Sequence, residues 1–169
     1  PDKERDANRK PGEVVAFSGM KAGDVVADIS PGGGYFTRIF SKTVGAKGKV
    51  YAVVSDAGVA KNPKAADAVK AIAADAAYGG NVEVAIVDFA SLKTAMPLDI
   101  AWTSLNYHDF KNRGGSFTEN MNKAVFAALK PGGTYIVIDH AAGKGAAADV
   151  TEKLHRVDVE AVSYTHLTL

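Results

Sequence analysis

Short apolar runs alternate along the chain with stretches in which apolar positions recur every three or four residues, which predicts strands followed by helices. Val25-Val26-Ala27-Asp28-Ile29 is a nearly continuous apolar run with one acid near its end, and predicts a buried strand over residues 25–29. Pro31-Gly32-Gly33-Gly34 follows, and three consecutive glycines make a turn that few other residue types could form. Behind it Ile39 and Phe40 resume helical spacing to about Val44, closed by Gly45 and Gly48. Lys49 to Val54 is a second strand, apolar throughout as in a sheet covered on both faces. Pro63 opens a helix with Ala66, Val69, Ile72, Ala73 and Ala76 on one side. Val82, Val84 and Ile86 alternate with Glu83 and Ala85, the pattern of a strand near a sheet edge.

A fourth strand is predicted around Asp99 to Leu105, running into Asn106-Tyr107-His108-Asp109-Phe110. Ser116 and Glu119 have capping-box spacing, and Phe117, Met121, Ala124, Val125, Ala128 and Leu129 build the apolar face of the next helix. Lys130-Pro131-Gly132-Gly133 predicts a tight turn, and Thr134 to Ile138 a fifth strand ending at Asp139-His140. At the N-terminus, Pro1 to Lys10 is charged without periodicity and is expected to be a solvated lead-in. Pro11 then starts a short helix whose apolar side is Val14, Val15 and Phe17. Ala141 to Asp149 is rich in alanine and glycine and is expected to be mobile. Strands alternating with helices predict an α/β domain with a doubly wound parallel sheet.

Bulk properties narrow the function more than the fold. A chain of 169 residues with 47% apolar and 23% charged residues suits one domain with a full core. A net charge of +1 gives no reason to expect nucleic acid or an acidic membrane as partner. With no cysteine, a disulfide framework, a thiolate nucleophile and a cysteine-ligated metal are excluded. No apolar run approaches the roughly 20 residues of a membrane helix. The chain begins at Pro1, so a removed signal peptide is neither visible nor excluded, and the cytoplasm is the default location. Oligomeric state is not legible.

The glycine turn by itself is compatible with several ligands. A G-x-G-x-x-G fingerprint starting at Gly32 and Gly34 has Thr37 in place of its third glycine, which argues against a dinucleotide. No G-K-[ST] follows, which removes the P-loop.

Specificity comes from several segments taken together. VADISPGGGYFTRIF, GKVYAVV, NVEVAIVDFA, PLDIAWTSLNYHDF, AALKPGGTYIVIDHAAGKG and LHRVD occur in this order between Lys10 and Asp158. In this the chain resembles the class I S-adenosylmethionine-dependent methyltransferases, and among them a bacterial branch of predicted methyltransferases. The resemblance implies a Rossmann-like sheet with S-adenosylmethionine over the carboxyl ends of its first strands. It assigns cofactor contacts to Asp28, Gly32, Gly33, Gly34, Tyr35, Asp88 and Asn106. Asp28 is expected to reach the cofactor ammonium, the helix N–H groups its carboxylate, and Tyr35 and Phe36 to face the sulfonium. Asp88 matches the family position that meets the adenine, with a solvated loop aspartate as the alternative. Two positions depart from the family pattern. Ser30 stands where the first glycine is usual, and Val53-Val54-Ser55 lacks the acid that grips the ribose, with Asp56 two residues too late.

The implied chemistry is methyl transfer to a small molecule, in which the protein mainly aligns nucleophile and methyl group. A proton acceptor is expected in His108, with Asp109 as its orienter, or in His140, because histidine suits proton transfer near neutral pH. The alternative for both histidines is backbone hydrogen bonding at a loop start. Tyr107 and Trp102 would shape an aromatic pocket or pack in the core. Asp109, Asp139, His140 and His155 are metal-ligand types, but their spacing matches no metal motif and no metal is expected. The rival function is a non-catalytic S-adenosylmethionine-binding module of the same fold, favoured by the missing ribose acid. The family pattern continues with a helix and a terminal strand pair. The expectation is therefore a domain over residues 1–162 lacking that pair, a bare fifth strand exposing Tyr135, Ile136, Val137 and Ile138, and a non-native tail over residues 163–169.

Overall fold

The structure, a computed structural model, describes residues 2–162 apart from 79, 147 and 161; the expected tail over 163–169 lies outside the described residues. Five strands, β1 (Val25–Ile29), β2 (Lys49–Ser55), β3 (Val82–Val87), β4 (Leu98–Ser104) and β5 (Leu129–Ile138), form one sheet in the order β3-β2-β1-β4-β5. Every neighbouring pair is parallel. The chain winds outward from β1 to β3, then returns to lay β4 on the other side of β1. That reversal makes the gap between β1 and β4 the switch point of the sheet, where the carboxyl ends of the strands leave a crevice.

Among the described residues eight α-helices accompany the strands: α1 (Asp6–Arg9), α2 (Pro11–Ser18), α3 (Tyr35–Val44), α4 (Asp56–Lys61), α5 (Asp67–Ala74), α6 (Tyr107–Asn112), α7 (Phe117–Ala128) and α8 (Ala148–Leu154). Successive strand residues point to opposite faces, so the apolar run of β1 feeds two cores. Val26 packs with Phe40 and Val44 of α3 and with Val69 and Ile72 of α5 on one face. Val25, Ala27 and Ile29 pack with Phe110 of α6 and with Met121 and Val125 of α7 on the other. Both faces are covered, which is why all five positions of β1 are buried, the acid Asp28 included.

Asn81 closes α3 onto the start of β3. Its Oδ1 accepts from Ser41 Oγ at 2.7 Å, and its Nδ2 donates to the carbonyls of Ser41 at 2.9 Å and Gly45 at 2.8 Å. Asn81→Ala strands those buried groups and is expected to cost about 2 kcal/mol. A urea midpoint unchanged by the substitution would contradict this role.

The structure departs from the sequence reading in several places. The lead-in is folded: its α1 sits against the start of α3, with Tyr35 donating to Asp6 Oδ1 at 2.6 Å and Arg38 paired to Asp2. Charge pairing across space, invisible to periodicity, holds it there. Phe17 is 75% exposed, while Val14 and Val15 pack on the core. Ser116 precedes α7 but forms no capping bond to the backbone, because its ψ of 9° is not the extended backbone that a capping serine adopts. Glu119 instead pairs with Lys123 one turn on. β5 begins earlier than predicted, with Leu129 opposite Leu98; its register then shifts through Lys130-Pro131-Gly132-Gly133 before Thr134 meets Ile100. The predicted turn is thus a bulge within the strand, pinned by the Lys130–Asp99 ion pair. Among the described residues no strand lies beyond β5. Its Tyr135, Ile136, Val137 and Ile138 are nonetheless half-buried or buried under helices, so what the edge leaves open is its backbone ladder. The segment after it is tied back, with Ala141 bridged to Val157 in parallel.

Candidate functional site

The turn between β1 and α3 passes through the left-handed region three times, at Ser30 (φ 60°), Gly32 (φ 56°) and Gly34 (φ 75°). Ser30 therefore occupies a conformation that favours glycine, which is the physical content of its departure from the family pattern. The glycines serve different needs. A Cβ on Gly32 or Gly33 would meet no atom within 4 Å, so bare backbone faces open space there. A Cβ on Gly34 would lie 2.3 Å from Ile72 Cδ1 and 3.3 Å from Val69 Cγ1, so that position is set by packing on α5. Gly34 N–H closes the turn on Pro31 O at 2.9 Å. Gly34, the N-cap of α3, has no side chain of its own to cap the helix, and the Asp28 carboxyl takes up the backbone N–H of Thr37 in its first turn. Asn106, at the end of β4, donates from Nδ2 to Ser30 O at 3.0 Å and Ser104 O at 2.7 Å. It positions the turn against β4.

Asp28 lies buried at the end of β1 and accepts from Thr37 Oγ1 at 2.6 Å. Burial raises its pKa to about 6, offset in part by the Thr37 side-chain and backbone hydrogen bonds. Thr37, the residue that breaks the dinucleotide fingerprint, thus links strand and helix. Its sequence signal was its place in the first turn of α3, on the side facing β1. Tyr35 is occupied otherwise than expected. Its hydroxyl is bound to Asp6, the Arg9 guanidinium lies 5.0 Å from its ring centre, and burial with the Asp6 bond pushes its pKa up to about 12. Phe36 packs against Trp102, with ring centres 5.1 Å apart, and also borders the cleft described below.

At the outer strands the expected cofactor positions serve the backbone. Ser55 caps α4 by accepting from Gly58 N, and the exposed Asp56 accepts from Ala57 N. The exposed Asp88 accepts from Ala90 N at 3.0 Å and Ser91 Oγ at 3.3 Å, capping a short turn after β3.

On the other side of the switch point, a cleft of about 690 Å³ opens at the carboxyl ends of β4 and β5. Arg9, Val14 and Phe17 of the N-terminal helices form one wall; Phe36, Asp139 and His140 stand opposite. His140 is exposed there, and its backbone N–H donates to Asp139 Oδ1 at 2.8 Å. His108 is 4% exposed and is not among the lining residues. Its Nδ1 lies 2.9 Å from both Asp139 carboxylate oxygens, and its backbone N–H donates to Asp139 Oδ2 at 2.9 Å. The orienter of His108 is therefore Asp139, while Asp109 lies 3.5 Å from the opposite ring nitrogen. An acid at the end of β5, mirroring Asp28 at the end of β1, was the available sequence signal. Trp102 and Tyr107 are wholly buried, and the Tyr107 hydroxyl accepts from Asn122 Nδ2 at 2.8 Å, so both are core residues and neither lines this cleft.

No protein-family model matches the chain, and neither does any curated protein. Solved structures do. An S-adenosylmethionine-dependent methyltransferase from Aquifex aeolicus superposes with a TM-score of 0.67 at 21% identity, over 92% of this chain and 76% of that one. An S-adenosylmethionine-dependent O-methyltransferase from Thermotoga maritima gives 0.57 at 18% identity, over 76% of this chain and 43% of that one. A glycopeptide N-methyltransferase in complex with S-adenosylmethionine gives 0.58 at 16% identity, over 79% and 54%. At these identities the likeness is one of architecture: the chain has the Rossmann-like fold of the class I S-adenosylmethionine-dependent methyltransferases.

Proposed function

We propose that the protein is an S-adenosylmethionine-dependent methyltransferase acting on a small molecule. The observation that carries this reading is the glycine-capped start of α3, set beside open glycine backbone and a buried carboxylate at the sheet's switch point. Helix N–H groups suit the cofactor carboxylate, and Asp28 suits its ammonium. The space above Gly32 and Gly33 lets a ligand lie on the backbone. S-adenosylmethionine, when bound, supplies an activated methyl group for an in-line displacement at carbon. The chain's own contribution is alignment, with Phe36 and the N-terminal helices enclosing the acceptor cleft. A volume of about 690 Å³ suits a small-molecule acceptor. His140 holds an imidazole at that cleft and is the proton acceptor for a hydroxyl or amine nucleophile; His108, turned to Asp139, supports the site from behind.

Titration calorimetry is expected to give micromolar binding of S-adenosylhomocysteine and none of NAD. NAD binding in preference would revive a dinucleotide enzyme. A second reading, a binding module without turnover, is favoured by Ser55 and Asp56 serving α4 where a ribose acid is usual. Assay against a panel of small hydroxyl and amine acceptors separates the two. Turnover is expected, and His140→Ala should slow it by about 10²-fold while leaving cofactor affinity unchanged. Full activity in that variant would remove His140 from the mechanism.

A further inference from the structure

His108, Asp109 and His155 converge outside the cleft, where the end of α8 meets the start of α6. One ligand-type atom from each lies within 4.8 Å of the others. His108 Nε2 is 3.2 Å from His155 Nδ1 and 3.5 Å from Asp109 Oδ1. We infer that these three side chains form a binding site for a zinc-class divalent cation, which fastens α8 to α6.

The hydrogen bonding of His108 makes the case. The Asp139 carboxylate presents only acceptors to Nδ1, so in the neutral ring Nδ1 carries the hydrogen and Nε2 is left with its lone pair. That lone pair points the electron-rich side of the ring toward a carboxylate oxygen and a second imidazole. In the metal-free protein the Nδ1–H tautomer of His155 donates to that lone pair at 3.2 Å, and a cation takes that place when His155 shifts to its Nε2–H tautomer, with Asp109 as the third ligand. A carboxylate behind a ligating histidine is also the usual support of such sites, since it fixes the tautomer and makes the free nitrogen more basic. Asp139 provides that support from a side chain that is itself buried.

Spacing agrees with the choice of metal. Tetrahedral ligands at about 2.0–2.1 Å from zinc stand roughly 3.3 Å apart. Two of the three separations, 3.2 Å and 3.5 Å, lie on either side of that value, and the third is within 4.8 Å. Two imidazoles and one carboxylate suit zinc and its first-row neighbours, whereas magnesium prefers oxygen alone. Such a set leaves a fourth position for water.

The fold delivers His155 by a specific route. Val157 N–H donates to His140 O, and Ala142 N–H to Val157 O, both at 2.9 Å. This parallel bridge returns the chain to the end of β5 and sets His155, with φ of 51°, over α6. Sequence spacing could not show the site, because its members are adjacent only through that return.

Calorimetry of the chelator-treated protein with zinc chloride is expected to show one saturable equivalent at micromolar affinity or tighter. His155→Ala and Asp109→Asn should each weaken it at least 10-fold. Asp139→Asn, which leaves all three ligands in place, should weaken it by about 10- to 100-fold. His140→Ala should leave it unchanged, and magnesium should not compete. Cobalt bound in place of zinc should give the visible absorption of a tetrahedral site, and zinc should slow proteolysis within residues 148–154. Zinc binding that is absent, or equal in the parent and in His155→Ala, would overturn the site. Because His155 and Asp109 are exposed, both variants should fold, and circular dichroism checks this. None of these measurements depends on methyl transfer, so the site and the proposed activity can fail separately.

Discussion

Gly32→Val is expected to abolish binding of S-adenosylhomocysteine while the domain stays folded, and Gly34→Val to remove much of the domain's stability. At Gly32 the added side chain projects into open space, which is the space assigned to the ligand. The cost to the fold is a β-branched residue at φ 56°, about 1–2 kcal/mol. At Gly34 the same backbone penalty applies at φ 75°, and the new Cβ also collides with Ile72 and Val69 in the α3–α5 packing. Overpacking of that kind adds about 1–3 kcal/mol, for a total of roughly 2–5 kcal/mol. Domains of this size hold only about 5–15 kcal/mol, so Gly34→Val leaves a marginal fold. Urea denaturation and calorimetry on both variants separate the effects. Unchanged affinity in Gly32→Val would move the cofactor elsewhere. Equal loss of stability in the two would mean that the turn is not packed as described.

Asp28→Asn should stabilise the free protein at neutral pH and weaken cofactor binding. The buried carboxyl has a pKa of about 6 against an ordinary value of 3.8, because ionisation at the end of β1 is poorly solvated. A pKa raised on folding means that the neutral form suits the native state. Relative stability is then fully present below pH 4 and is lost as the pH rises through 6. The shift corresponds to about 3 kcal/mol between those limits. Asparagine removes that dependence and still accepts from Thr37 Oγ1, so a net gain of about 1–2 kcal/mol is expected at pH 7.5. The cofactor ammonium has the opposite effect, favouring the ionised carboxylate. Affinity in the parent should therefore rise from pH 4 to about 6 and then level off, while the variant binds roughly 10- to 100-fold more weakly at neutral pH. Denaturation at pH 4.5 and 7.5 gives the first result, and calorimetry across the same range the second. A stability profile identical in parent and variant would show that Asp28 is not the titrating group.

Local pattern carried most of the architecture. β1 was legible to the residue, because a strand covered on both faces must be apolar at every position but the one its helix can satisfy. The edge character of β3 was legible from the alternation of Val82, Val84 and Ile86 with Glu83 and Ala85. The glycine turn was legible because left-handed backbone leaves a compositional mark. Pairing partners leave no such mark. Asp139 rather than Asp109 orients His108, since α6 turns the ring toward the end of β5. Tyr35 is engaged by Asp6 and Arg9 because the charged lead-in folds against α3, and the glycines at 32 and 34 differ only in whether α5 lies beneath them. Which residues lie on strands and turns follows from backbone sterics and from burial repeated along the chain, and both are local. Which side chain meets which depends on how sheet and helices pack, and contacts between residues far apart in the chain decide that.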